Sequence, residues 1–411
     1  MPSTPRLNPN TKPRAPAAPA APGTPTPPTP PTPPNAALED CILVLQGGGA
    51  LGAYQAGVFE ALGQVYREPS WVAGISIGAI NAALIAGNAP EVRVAKLREF
   101  WDLLSSSWPV PALLTQGREA LNDASANQAM LFGVPGFYAP RFPPPALQRP
   151  GSLQAISYYD TAPLLKTLER LVDFDRINHP KNAGRVRLSV GAVNVRTGNF
   201  AYFDSAKQPI DARHVMASGA LPPGFAPVEI DGEFYWDGGL VSNTPLQYVL
   251  DQPDAKRRVV FQVDLFCARG VPPGTMSEVI EREKDIRFSS RTRLNTTMEI
   301  ERQAFALAAQ RLINKLPAKL RDDADAVLLS SMLTARQIES AVDVVHLIYR
   351  SKNYETHAKD YEFSRLSMRE HWAAGHADMA HTLQDPRWTG RDRTADGVHV
   401  FDLAQGQAEA R

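Results

Sequence analysis

The first sustained apolar run, Cys41-Ile42-Leu43-Val44-Leu45-Gln46, is continuous rather than alternating, which predicts a strand buried on both faces. Gly47-Gly48-Gly49-Ala50-Leu51-Gly52 breaks it, and an amphipathic helix is expected from Tyr54 to Val65. A shorter apolar stretch, Trp71-Val72-Ala73, leads into Gly74-Ile75-Ser76-Ile77-Gly78 and then a helix of small residues over 79–86. By residue 87 the order is β-α-β-α, the pattern of a mostly parallel sheet covered on both faces, with the site loops at the C-terminal ends of the strands.

Between about Ser105 and Ser157 the periodicity lapses into Pro, Gly and aromatics, including Phe132, Phe137, Tyr138 and Phe142. This reads as an insertion or lid, its aromatics either docking on lipid or packed inward. Strands resume at 186–194 and 199–203, joined at Thr197-Gly198, and at 228–230 and 233–236, joined at Asp231-Gly232, giving two hairpins. The second leads into Asp237-Gly238-Gly239. A further buried strand is expected over 258–266; from about 275 the pattern is mostly helical, with one more strand over 342–349.

Composition changes the picture mainly at the ends. Fourteen of the first 36 residues are proline, so residues 1–37 are expected to be a disordered, partly polyproline tail. That tail has no continuous apolar core of a secretory signal, and the longest apolar run, 73–87, is shorter than the ~20 residues that cross a bilayer. The 43 basic and 43 acidic residues cancel, which argues against nucleic acid as partner and leaves any membrane contact local. Cys41 and Cys267 have no metal-ligand spacing and fit a reducing, cytoplasmic compartment.

Acyl transfer by serine needs a positioned hydroxyl, a base and donors for an oxyanion. Gly74 and Gly78 flank Ser76 as the glycines of a nucleophile elbow do, and the following helix aims its N–H groups and positive dipole end at the acyl carbon. The bland alternative for the pentapeptide is a tight turn with a capping serine. The loop Gly47, Gly48, Gly49 offers a nest of N–H groups. Asp237, followed by Gly238 and Gly239, is the candidate base, against the alternative of a plain Asp-Gly turn. None of the eight histidines sits in a glycine-flanked strand-end loop, and only one β-α unit precedes Ser76. Both facts argue against an α/β-hydrolase and for a Ser/Asp dyad. A dinucleotide fingerprint at Gly47-x-Gly49-x-x-Gly52 would require an acidic residue ending the second strand, and the sequence has Gly74-Ile75-Ser76 there.

Three ordered blocks, 47–58, 74–83 and 237–246, with the approach 216–225, resemble those of the patatin-like phospholipase family over roughly residues 40–270. The resemblance implies a three-layer α/β/α fold with a mostly parallel central sheet. It further implies hydrolysis of lipid acyl esters through an acyl-enzyme, with Ser76 as nucleophile, Asp237 as base, the 47–49 loop as oxyanion hole and Gly52, Gly74, Gly78, Gly238 and Gly239 as supporting motif. No metal or cofactor is implied. Leu51 stands where many members carry a basic residue, which puts help from a cation there in doubt.

The expected layout is the tail, a catalytic domain over 38–270 and a mainly helical C-terminal extension over 271–411 packed on it. Residues 359–372 resemble the extension of a bacterial subgroup, either a helix packed by its aromatics or a partner surface. Arg287, Arg291 and Arg293 form either a solvated helix face or a contact for phosphate. Two other readings stay open: an esterase or thioesterase on soluble acyl or short polyester substrates, and a catalytically silent lipid-binding scaffold. The sequence leaves the oligomeric state open.

Overall fold

The computed structural model describes residues 39–106, 117–179, 184–252, 257–334, 341–393 and 397–403. Side chains at 290–296, 299, 303 and 334 also lie outside the description, so the expected tail and the side chains of Arg291 and Arg293 receive no structural account.

Strand β1 (Glu39–Leu45) runs into a glycine loop, a short 3-10 turn and helix α1 (Ala53–Val65). Strand β2 (Trp71–Gly74) turns sharply into α2 (Ile77–Ala86), followed by α3 (Arg93–Leu104). Then come α4 (Arg118–Phe132), the two-residue strands β3 (Ala139–Pro140) and β4 (Tyr159–Asp160), α5 (Ala162–Leu171) and α6 (Phe174–Asn178). Among the described residues the expected lapse over 105–157 therefore holds a 15-residue helix and the short strand β3. Helix α4 mixes polar residues around a narrow buried stripe of Asn122, Ser125, Ala126 and Ala129, too small a stripe to show as apolar periodicity.

The pair β5 (Arg187–Asn194) and β6 (Phe200–Asp204) forms the first expected hairpin, then α7 (Ala212–Ser218) precedes the second, β7 (Val228–Ile230) and β8 (Glu233–Asp237). Both residues of its turn take positive φ, Asp231 at 52° and Gly232 at 80°, as a tight hairpin turn requires. Helix α8 (Leu246–Leu250) and strand β9 (Arg257–Asp264) follow. The C-terminal part contributes α9 (Met276–Lys315), α10 (Ala318–Arg321), α11 (Ala324–Thr334), β10 (Val342–Ile348), α12 (Arg365–Gln384), α13 (Pro386–Thr389) and β11 (Val398–Asp402).

The main sheet has the order β11-β10-β9-β1-β2-β5-β8-β7, with β6 also on β5. From β11 to β5 every pairing is parallel, while the pairings β5–β6, β5–β8 and β8–β7 are antiparallel. The described C-terminal segment thus extends the sheet through β10 and β11 besides adding helices. In β1, Cys41, Leu43 and Leu45 enter the large core, while Ile42 and Val44 enter a second core on the opposite face with Leu246, Val249 and Leu250 of α8. Burial on both faces is why the strand reads as an unbroken apolar run. Helix α12 meets α1 at two glycines: a Cβ on Gly57 would lie 2.0 Å from the Trp372 carbonyl oxygen, and one on Gly375 2.0 Å from that of Tyr54. Only the absence of side chains there allows so close a crossing. No helix among the described residues is long and apolar enough to cross a membrane.

Candidate active site

Strand β1 pairs with β2 on one side and β9 on the other, and the C-terminal end of a central parallel strand is where an α/β sheet opens its ligand crevice. Ser76 stands at that end, immediately past β2, at φ 56° and ψ −124°, a conformation that costs an L-residue on the order of 1–3 kcal/mol. Close packing enforces it. A Cβ on Gly74 would lie 2.2 Å from the Gly78 carbonyl oxygen, and one on Gly78 2.4 Å from that of Leu45. The Ser76 N–H is held by Ser218 at the end of α7, with backbone and side-chain oxygens both at 3.1 Å, and the Ser218 hydroxyl donates to the Gly191 carbonyl at 2.6 Å.

Strand register brings Asp237 to the serine. One edge of β5 carries β6; the other is occupied by β2 up to Gly74↔Val190 and then by β8 from Ala192↔Asp237. The end of β8 therefore arrives just beyond the end of β2. Asp237 is buried and accepts the Gly239 N–H at 2.7 Å. Burial outweighs the stabilisation of its charged form by Ser76 and by the Gly239 N–H, and lifts its pKa to about 6. Among the described residues no histidine hydrogen-bonds either side chain. His214, the histidine nearest in sequence to Ser218, closes a capping box on α7 with Asp211.

The glycine loop lies against both groups. A Cβ on Gly47 would be 3.0 Å from the Ser76 Cβ and 2.4 Å from Asn243 Oδ1. The sequence groups Gly47 with Gly48 and Gly49 as an anion donor, but its N–H is taken by the Asn243 carbonyl at 3.2 Å, while Asn243 Nδ2 donates to the Gly47 carbonyl at 2.9 Å. The N–H groups of Gly48 and Gly49 have no acceptor among the described residues. A chain of buried amides holds the loop: Gln55 Nε2 donates to the Gln46 carbonyl at 2.6 Å, and Asn81 Nδ2 to the Gly52 carbonyl and Gln55 Oε1, both at 2.9 Å. Leu51 is fully buried in the core, so its position contributes nothing polar to the crevice.

The C-terminal segment closes the loop from the other side. The Asp360 carbonyl accepts the Ala50 N–H at 2.8 Å, and Asp360 pairs with Lys284 at 2.6 Å. Its neighbour Lys359 is buried and reaches Glu281 at 2.9 Å and Asp285 at 2.8 Å on α9. Gly49 sits at φ +55° with its Cα so close to this bridge that a Cβ would lie 1.9 Å from the Asp360 oxygen. Gly49→Ala is therefore expected to push the two segments apart and cut turnover more than about tenfold, with a Tm drop of several degrees in thermal unfolding. Removing one partner of a buried charge cluster costs about 3–5 kcal/mol. Lys359→Met should thus destabilise the chain by about that amount in urea titration.

Asn243, Ser218 and Asp360 did not stand out in sequence. Asn243 lies within the third resemblance block but acts through its backbone as well as its amide, Ser218 acts through two oxygens, and Asp360 meets the glycine loop by its carbonyl, which any residue carries. A second buried carboxylate, Asp264 at the end of β9, is raised to about 7 by burial against hydrogen bonds from Gln262 and Thr244. Among the described residues no cluster of three His, Cys, Asp or Glu side chains is arranged to hold a metal ion.

A family model described as Patatin-like phospholipase matches residues 43–250, half of the chain, spanning the glycine loop, Ser76 and Asp237. The chain belongs to the patatin-like phospholipase family. A second model, described as Patatin phospholipase, matches residues 286–395, the segment that carries Asp360 and α12. The curated relative cGAMP-activated phospholipase of Vibrio cholerae serotype O1 is 28% identical over 222 residues, covering 50% of this chain and 55% of the relative. The chain thus spans about half the length of that relative. Among solved structures, VipD from Legionella pneumophila matches 83% of this chain and 66% of its own at 14% identity and a TM-score of 0.31. The ExoU-SpcU complex of Pseudomonas aeruginosa matches 73% of this chain and 68% of its own at 16% identity and a TM-score of 0.28. At such scores neither adds to the architecture seen directly. Within the family, the site geometry of this chain links its glycine loop to the C-terminal segment through Asp360.

Proposed function

We propose that this patatin-like protein is a serine lipid acyl hydrolase in which Ser76 attacks and Asp237 serves as base. The observation that carries the reading is the strand register that brings the strained Ser76 to a buried Asp237 whose pKa is raised to about 6. A carboxylate at that value is a far better proton acceptor than one near 4, yet it remains ionised at neutral pH. As the Ser76 oxygen bonds to the acyl carbon, its proton passes to Asp237 and the carbonyl oxygen becomes an anion. The unpaired N–H groups of Gly48 and Gly49 are the donors proposed for that anion. The tetrahedral species collapses by breaking the bond to the leaving alcohol, which takes the proton from Asp237. Water then attacks the acyl-enzyme, giving its proton to Asp237, and the collapse that releases the fatty acid returns a proton to Ser76.

The family match favours a phospholipid or related acyl ester over a soluble one as substrate. The test is acyl release from phospholipid vesicles and from a soluble short-chain ester. Vesicle turnover that exceeds soluble turnover is expected; turnover of the soluble ester alone would shift the substrate class, and silence on both would leave a lipid-binding scaffold. Since Asp237 must be ionised to accept the proton, kcat/KM is expected to fall about tenfold per unit as pH drops below about 6. A pH–rate profile flat from 5 to 8 (roughly the window around that value) would remove Asp237 as the base. Cys41 and Cys267 are free thiols, which fits the cytoplasm as the compartment.

A further inference from the structure

We propose that the lobe formed by the end of α4 and residues 133–158 is a docking surface for a phospholipid bilayer carrying anionic head groups, a reading that rests on the lipid hydrolase function above. The lobe sorts its apolar residues into two sets. Phe137 and Tyr138 turn inward and pack with Tyr159, Phe225 and Phe363, ring centroids 4.7–6.0 Å apart. Phe142, Leu147, Phe132 and Leu131 turn outward, with 94, 76, 75 and 68% of their surface exposed. Exposed side chains of this size are individually ordinary, but a group of them on one small lobe marks an interaction surface.

The lobe is held as a unit. Val134 bridges to Tyr138, the Arg141 N–H donates to the Tyr158 carbonyl at 3.0 Å, and the Tyr159 hydroxyl donates to the Met130 carbonyl at 2.8 Å. It is also joined to the crevice. The N–H groups of Tyr158 and Tyr159 donate to Pro223 and Gly224 at 3.1 and 2.9 Å. That loop carries Leu221, 45% exposed, and runs back to Gly219, whose Cβ position is 3.8 Å from the Ser76 Cα. A bilayer seated on the lobe therefore lies beside the site where its lipids would react.

Charge selects this occupant. Between Asp123 and Asp160 the chain has no Asp or Glu, whereas it has Arg141 and Arg149, the latter exposed. An apolar surface whose only charges are positive fits acyl chains below and anionic head groups above, the arrangement of peripheral membrane-binding elements. A second copy of this chain would meet the same positive charges, which makes it the poorer partner.

The test uses the full chain and vesicle flotation with phosphatidylcholine alone and with added phosphatidylglycerol. Wild type is expected to bind both and to bind the anionic vesicles more tightly. The triple variant Phe132→Ser, Phe142→Ser, Leu147→Ser should bind at least about tenfold more weakly, since burying even one such side chain is worth about a decade of partition. Its turnover of a soluble short-chain ester should stay within about twofold of wild type, because the three exposed side chains are not among the residues that hold Ser76, Asp237 or the glycine loop. Arg149→Glu should remove part of the preference for anionic vesicles and leave binding to phosphatidylcholine in place. Unchanged flotation of the triple variant overturns the proposal. So does a dimer in sedimentation that the variant dissolves while its vesicle binding persists. Ser76→Ala separates the two readings: it should float as wild type does, and if it kept ester turnover the hydrolase reading would fail while the docking result stood.

Discussion

Ser76→Ala is expected to reduce acyl-ester turnover by roughly three or more orders of magnitude without unfolding the protein. The hydroxyl is the only group at the turn between β2 and α2 able to form a bond to an acyl carbon. The surrounding structure does not depend on it: the Ser76 N–H keeps its acceptors on Ser218, and Gly74 and Gly78 keep their close backbone contacts. A companion variant reports on strain. Alanine must adopt the same φ of 56°, whereas glycine does so freely, so Ser76→Gly should be inactive yet more stable than Ser76→Ala by about 1 kcal/mol. Turnover and urea unfolding of both variants would check the pair. Retained activity in either would exclude Ser76 as the nucleophile, and equal stability would mean the turn relaxes when the hydroxyl is gone.

Asp237→Asn should abolish turnover and, at neutral pH, stabilise the fold. The carboxyl has its pKa raised from 3.8 to about 6 by burial, so the native state holds the proton more tightly than the unfolded chain does. Its contribution to stability is therefore complete below pH 4 or so and is lost as pH rises through about 6. Above that point wild type bears the cost of a buried charge, which a shift of about two units places at about 2–3 kcal/mol. Asparagine has no charge to bury and its oxygen still accepts the Gly239 N–H. The stability gap between variant and wild type should accordingly be large at pH 8 and shrink towards pH 4.5 or so, with thermal unfolding as the measurement. A gap independent of pH would show that Asp237 does not titrate in this range. A site kept at a cost in stability is the usual relation between function and fold.

Much of this molecule was legible in the chain. The unbroken apolar run 41–45, ended by the glycines at 47–49, reads as a strand covered on both faces, and the structure splits those residues between two cores. The pentad 74–78 announced its own turn, since glycines at both ends are demanded by backbone atoms within the pentad and in the neighbouring strand. Both hairpins follow from their turn residues. These features are local, and local sterics act before any tertiary contact forms.

The tertiary structure decided what comes together across the chain. Asp237 reaches Ser76 because β8 takes over the edge of β5 where β2 stops, a register that neither segment encodes alone. Gly47 loses its free N–H to Asn243, and Ala50 gives its own to Asp360, pairings made over 196 and about 310 residues of separation through backbone oxygens that every residue possesses. Phe137 turns inward while Phe132 and Phe142 turn outward, so only packing against Phe225 and Phe363 determines which phenylalanine of the lobe is which. Sequence fixes an element where side-chain size and backbone freedom admit one local solution; it leaves open any site whose parts are backbone groups, strand register, or the choice of which apolar residue finds a partner.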